Sequence, residues 1–206
     1  LTYGQLTTAV KRTATGLAAR GFSKGDVFAI YSPNIPEYAI AFFGVASAGG
    51  VNTTINPTYT AKELRHQLLD SGATYLVTIP QFLEAAREAI TDTGVKEIFV
   101  FGEAEGATPF AELMIAGEPP KIEITPKEDL VALPYSSGTT GLSKGVMLTH
   151  YNMVANLSQI LGVEATAETE VLMGILPFYH IYGMTAIMCN TLRAGASVVT
   201  MPRFEL

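Results

Sequence analysis

LPYSSGTTGLSKGVMLTH, residues 133–150, joins two short apolar runs through a loop that has nothing to bury. Upstream, Leu130, Val131, Ala132 and Leu133 have the composition of a buried strand; downstream, Val146, Met147 and Leu148 predict a second one. Between them Ser136, Ser137, Thr139 and Thr140 supply hydroxyls, while Gly138 and Gly141 leave backbone N–H groups open to close approach. Lys144 follows as a mobile point charge. Hydroxyls, consecutive N–H groups and one cation are the donors an anionic polyphosphate needs, because such a turn forms an anion-binding concavity. A Gly/Ser/Thr cluster alone is ordinarily a surface turn, and Lys144 is what favours the phosphate reading. The spacing is not that of a Walker A loop, which requires Gly at position 143 and Ser or Thr at 145. Those positions hold Ser143 and Gly145.

Outward from the loop, strand-like and helix-like segments alternate. Helices are expected over residues 2–20, 36–48, 60–70, 81–91, 151–161 and 184–193, and strands over 27–31, 51–55, 75–79, 97–101, 171–176 and 197–201. Pro36 suits a first helical turn, and Thr60 with Glu63 has the spacing of a capping box. The alternation predicts α/β architecture: a largely parallel sheet with helices on both faces. Residues 102–128, rich in Gly and Pro, read as a surface excursion with one short helix over 110–116 that interrupts a single sheet.

Composition bounds the partners. The 206 residues, 48% hydrophobic and 16% charged, suffice for one globular domain with a sizeable core. A net charge of −6 without a basic cluster argues against nucleic acid. The lone Cys189 excludes an intrachain disulfide framework and a Cys-based metal site, reads as a small core residue, and makes a reducing cytoplasm the expected compartment. Two long stretches lack charged side chains, but both carry Gly, Asn and Pro and read as buried α/β elements, so no stable membrane insertion is expected.

A second candidate site is LPFYHIYG, residues 176–183. Aromatics and a His gathered around a Pro look like the wall of a pocket. Taken alone, His180 reads better as a satisfied core histidine, since a lone His is poor evidence of chemistry.

The stretch from Ser136 through Lys144–Gly145–Val146 to Leu148–Thr149–His150 resembles the phosphate-binding signature of the adenylate-forming superfamily: acyl- and aryl-CoA synthetases, 4-coumarate:CoA ligases, luciferases and peptide-synthetase adenylation domains. The match is best to the CoA ligases. One position departs, Ser143 standing where the family usually has Pro. The resemblance implies that residues 1–206 are part of an N-terminal catalytic domain, with the family's C-terminal lid outside this stretch. It implies ATP, Mg²⁺ and CoA as cofactors and a small-molecule carboxylic acid as substrate. It assigns Ser136, Ser137, Gly138, Thr139, Thr140, Gly141 and Lys144 to the phosphates of ATP, His180 and Tyr182 to the acyl pocket, and Arg203, in MPRFEL, to the CoA nucleotide. His150 is expected to cap or pack the start of the next helix. An acyl-AMP ligase, a luciferase-like enzyme and a non-catalytic module retaining the loop stay open as alternatives.

Overall fold

The computed structural model describes residues 1–136, 143–164 and 166–201. Helix α1 (Tyr3–Ala19) starts at Thr2, whose hydroxyl accepts from Gln5 N–H while the Gln5 side chain returns to Thr2 N–H at 2.8 Å. Strand β1 (Val27–Tyr31), helix α2 (Pro36–Ser47) and strand β2 (Val51–Ile55) follow, then helix α3 (Ala61–Ser71), capped by Thr60 and Glu63 as the sequence predicts. Strand β3 (Ala73–Thr78) leads through a 3-10 turn (Pro80–Phe82) into helix α4 (Leu83–Ala89) and strand β4 (Glu97–Val100). Next come the short strand β5 (Thr108–Pro109) and, beyond the excursion, β6 (Leu130–Ala132).

Strand alternation sorts the core into two layers. In β1 and β3, Phe28, Ile30, Tyr75 and Val77 point to the side covered by α1 and α2, where they meet Ala14, Leu17, Tyr38 and Val45. Ala29, Tyr31 and Leu76 point the other way, onto Leu64, Leu68, Leu83 and Ala86 of α3 and α4. One period-2 pattern therefore buries both faces, which is what a parallel sheet inside an α/β fold requires.

The chain then passes through the two-residue strands β7 (Tyr135–Ser136), β8 (Lys144–Gly145) and β9 (Leu148–Thr149) into helix α5 (His150–Val163). The main sheet has the order β5-β4-β3-β1-β2-β6-β9. Its neighbours are parallel except β9, which runs antiparallel to β6. Strands β10 (Val171–Gly174) and β11 (Ser197–Thr200) form a separate two-stranded parallel sheet, joined through a π-helical segment (Gly183–Cys189) and helix α6 (Asn190–Arg193).

Several expected boundaries move, each for a physical reason. Residues 146–148 do not make one strand: Val146 and Met147 are 43% and 70% exposed and separate β8 from β9. Opposite them stands Pro134, which has no N–H to give a ladder, and its carbonyl instead takes Val146 N–H at 2.8 Å. The strand expected over 171–176 stops at Gly174, short of Pro177. The helix expected over 184–193 is π-helical for most of its length, and the Thr185 hydroxyl competes for the Ile181 carbonyl at 2.7 Å. The excursion over 102–128 contains a 3-10 turn (Phe110–Leu113) instead of a longer helix, and adds β5 to the sheet edge.

Candidate functional site

Pairing across β7 and β8 sets Ser136 opposite Lys144 and Tyr135 opposite Gly145. Both Ser136 and Lys144 are exposed at the mouth of the loop. The ladder is held in place from below. A Cβ on Gly145 would stand 2.8 Å from Leu133 Cδ2 and 3.1 Å from the Tyr135 ring, so glycine is what lets the two strands close. The Tyr135 phenol donates to Asp70 Oδ2 of α3 at 2.5 Å, and the Tyr59 hydroxyl lies 3.5 Å from Ser143 Oγ. Ser137, Gly138, Thr139, Thr140 and Gly141 lie outside the described residues, as does Arg203.

Burial, and then the Asp70 carboxylate, push the Tyr135 phenol well above its ordinary range. A folded-state pKa above the unfolded value of about 10 contributes stability that is complete below pH 10 and lost as pH rises toward the folded value. Tyr135→Phe should accordingly flatten the alkaline decline in stability. Urea midpoints of the two proteins from pH 8 to about 11 would check it, and parallel curves would discard the Tyr135–Asp70 contribution.

Strand β2 ties the strand that enters the candidate loop to the second candidate segment. Asn52, Thr53 and Thr54 are all buried in the middle of the sheet. Asn52 Nδ2 donates to the Phe42 and Val131 carbonyls at 3.1 and 3.2 Å. Thr53 Oγ1 donates to the Leu133 carbonyl at 3.2 Å and accepts from Gln67 Nε2 at 2.9 Å. Thr54 Oγ1 donates to the Tyr179 carbonyl at 2.8 Å. Two consecutive threonines thus hold the entry to the loop and the backbone next to His180. A sequence reading of 51–55 as a plain strand misses this role. Its signal was nonetheless present: three polar residues in a row at the centre of a parallel sheet must each find a partner.

His180 and Tyr182 are exposed, whereas Phe178 two residues earlier is buried with its ring edge-on to Tyr38 at 5.7 Å. His180 Nδ1 accepts weakly from Tyr182 N–H at 3.4 Å. Gly183 closes the turn, with no room for a Cβ beneath the Pro177 carbonyl.

His150, Asp129 and Cys189 have structural parts. Thr149, with Asn152, is the cap of α5, and His150 is its first helical residue, half-buried and packed. Burial pushes the His150 pKa down while Asp129 opposes the shift. Asp129 itself is held low by Lys24, whose Nζ lies 2.6 Å away, and by Thr125 N–H. Burial pushes the Cys189 thiol up to about 12, so it is a packing residue rather than a nucleophile. Among the described residues no three His, Cys, Asp or Glu side chains gather to hold a metal ion, and no helix is long and apolar enough to cross a membrane.

Comparison with known proteins gives the family and the fold. A family model described as AMP-binding enzyme matches residues 1–206. The chain is 38% identical over 209 residues to 4-coumarate--CoA ligase 3 of Oryza sativa subsp. japonica, covering all of this chain and 38% of that protein. It is 40% identical over 216 residues to 4-coumarate--CoA ligase-like 1 of Arabidopsis thaliana, again with 38% of the relative covered. The chain therefore spans under two fifths of the length of these relatives. Among solved structures it superposes on a long-chain-fatty-acid-CoA ligase from Archaeoglobus fulgidus with a TM-score of 0.91 at 29% identity, covering 100% of this chain and 41% of the other. ATP-bound MatB from Rhodopseudomonas palustris gives 0.85 at 28% identity, covering 98% and 40%.

Proposed function

The chain belongs to the AMP-binding enzyme family, and on that premise we propose that it supplies the phosphate loop and part of the acyl pocket of an ATP-dependent carboxylate–CoA ligase. The observation that carries the reading is the pairing of Ser136 with Lys144 at the loop mouth, tied through Thr53 and Thr54 to the segment bearing His180. Two anions must meet in the first step, a carboxylate and the α-phosphate of ATP, so positioning and charge neutralisation dominate the barrier.

In this reading Lys144, Ser136 and the loop residues 137–141 hold the β- and γ-phosphates. The exposed Lys144 makes no ion pair among the described residues, which leaves its charge available to a phosphate. His180 and Tyr182 orient the acyl group, and Arg203 meets the CoA nucleotide. The carboxylate attacks the α-phosphorus to give acyl-adenylate and pyrophosphate. The CoA thiol then adds to the acyl carbon, AMP leaves and the thiol proton passes to solvent. Mg²⁺ would neutralise phosphate charge, and its carboxylate ligand is expected outside the described residues, among which no cluster of three His, Cys, Asp or Glu side chains could hold it.

A full-length protein carrying this chain should catalyse pyrophosphate exchange into ATP only when a suitable carboxylic acid is present, and should form AMP and thioester only when CoA is added. Exchange independent of any acid would overturn the proposal. Acyl-adenylate that accumulates regardless of CoA would point instead to an acyl-AMP ligase.

A further inference from the structure

We propose that Asn34 is a positioning residue for the acyl pocket, acting through the backbone of the segment that carries His180 and Tyr182, with Thr54 as its partner on the other side. The inference rests on the pocket role proposed above for His180.

Asn34 lies between β1 and α2, one residue before Ile35, the N-cap position of α2, and is only 5% exposed. Its side chain makes three hydrogen bonds, all to a segment 140 or more residues away. Nδ2 donates to the Gly174 carbonyl at 2.8 Å and the Leu176 carbonyl at 2.9 Å, and Oδ1 accepts Phe178 N–H at 2.8 Å. Only one orientation of the amide satisfies this set, since a flip would set its oxygen against two carbonyls.

The need for such a group follows from the chain it binds. Strand β10 ends at Gly174, and Pro177 has no N–H, so the backbone from 174 to 178 leaves its sheet with polar groups unpaired. Asn34 behaves there as a stub of neighbouring strand: donor, donor and acceptor fixed on one rigid amide. Past Phe178, Thr54 Oγ1 takes over at the Tyr179 carbonyl, and Phe178 itself is clamped against Tyr38. The residue next in line is His180, exposed, and its side chain has no hydrogen bond among the described residues beyond the weak Tyr182 N–H contact. Its position is therefore set by the backbone before it, and that backbone is registered against the first sheet by Asn34 and Thr54. The phosphate loop enters from the neighbouring Thr53. The distance between bound phosphate and bound acid thus depends on two polar side chains in the β1–α2 connection and β2, neither placed to touch either substrate.

The test uses the full-length protein with ATP, CoA and its best carboxylic acid. Asn34→Ala should lower kcat/KM for the acid by about 10–100-fold through misplacement, while leaving the KM for ATP within about 3-fold. Thr54→Val keeps the shape and removes one hydrogen bond, so a fall of about 2–10-fold with the same split is expected; it decides the matter if Asn34→Ala does not fold. Both effects should shrink in a His180→Ala background, because a positioning residue has nothing left to position. Equal losses for ATP and acid, or additive losses with His180→Ala, would reduce Asn34 to a structural residue and overturn the inference. If His180→Ala leaves the acid parameters untouched, the pocket role itself fails; if His180→Ala lowers them and neither Asn34→Ala nor Thr54→Val does, only the positioning role fails.

Discussion

Gly183→Ala is expected to destabilise the 206-residue chain by about 3 kcal/mol or more, at the upper end of overpacking effects. A Cβ there would overlap the Pro177 carbonyl oxygen and stand 2.6 Å from the Pro177 carbonyl carbon and 2.7 Å from the Leu176 carbonyl oxygen. All three are backbone atoms, and backbone cannot swing away as a side-chain tip can. The Leu176 carbonyl is also one of the groups held by Asn34, so relief of the clash must break that hydrogen bond. The expected drop in melting temperature is roughly 6–12 °C for a chain of this size. Gly162→Ala is the matched control: it lies in the last turn of α5 with no described atom within 4 Å of the added carbon, so helix propensity should stabilise the chain by no more than about 0.5 kcal/mol. Thermal melts of the two variants beside the parent would decide it. A Gly183→Ala melt within about 2 °C of the parent would mean that the turn at Pro177 tolerates what its geometry forbids.

The two-layered sheet was legible in the sequence because burial on both faces leaves a plain record. Phe28-Ala29-Ile30-Tyr31 and Tyr75-Leu76-Val77 are continuous apolar runs, and only a sheet covered on both sides needs them. The Thr60–Glu63 box marks the start of α3 with equal clarity, since its two hydrogen bonds are local and need no tertiary context. Breaks within the elements were less legible. Val146-Met147-Leu148 is apolar enough for a strand, yet what divides it is a proline twelve residues earlier, visible only once Pro134 is known to stand opposite. The π-helical segment Gly183–Cys189 was not legible, because its composition suits a helix whichever carbonyl each N–H reaches.

The site divides along the same line. Lys144 and Ser136 were legible because a loop without a core to bury must answer to something else, and the ladder sets them face to face. His180 and Tyr182 are candidates only through resemblance, and the backbone reasons for their placement were not legible at all. Apart from the Gln67 bond to Thr53, the side chains of Asn34, Thr53 and Thr54 bond to partners 80 to 144 residues away, beyond the reach of any local pattern. What sequence could show was a cost: an Asn before a helix start and a polar run in a central strand, each demanding partners it did not name.

Lys144→Ala is the second large effect expected, and it falls on chemistry instead of stability. Lys144 is exposed on a two-residue strand and makes no side-chain hydrogen bond or ion pair among the described residues, so its removal should change folding stability by less than about 0.5 kcal/mol. In the full-length protein its ammonium would lose a charge-assisted contact to the triphosphate worth about 1.5–3 kcal/mol. That is a factor of roughly 10–150 in ATP handling, read as a raised KM for ATP or a slowed pyrophosphate exchange. Lys144→Arg should recover part of the loss, since the charge is kept while the compact ammonium is replaced by a planar fork. The acid dimension should respond differently from that of Asn34→Ala: KM for the carboxylic acid should stay within about 3-fold in Lys144→Ala, because the Tyr179 carbonyl and the Phe178 N–H keep their anchors. An exchange rate equal to the parent's, with an unchanged KM for ATP, would mean that residues 136–144 form a surface turn and that the phosphate is held elsewhere. A loss confined to the acid parameters would place the lysine at the carboxylate instead of the triphosphate.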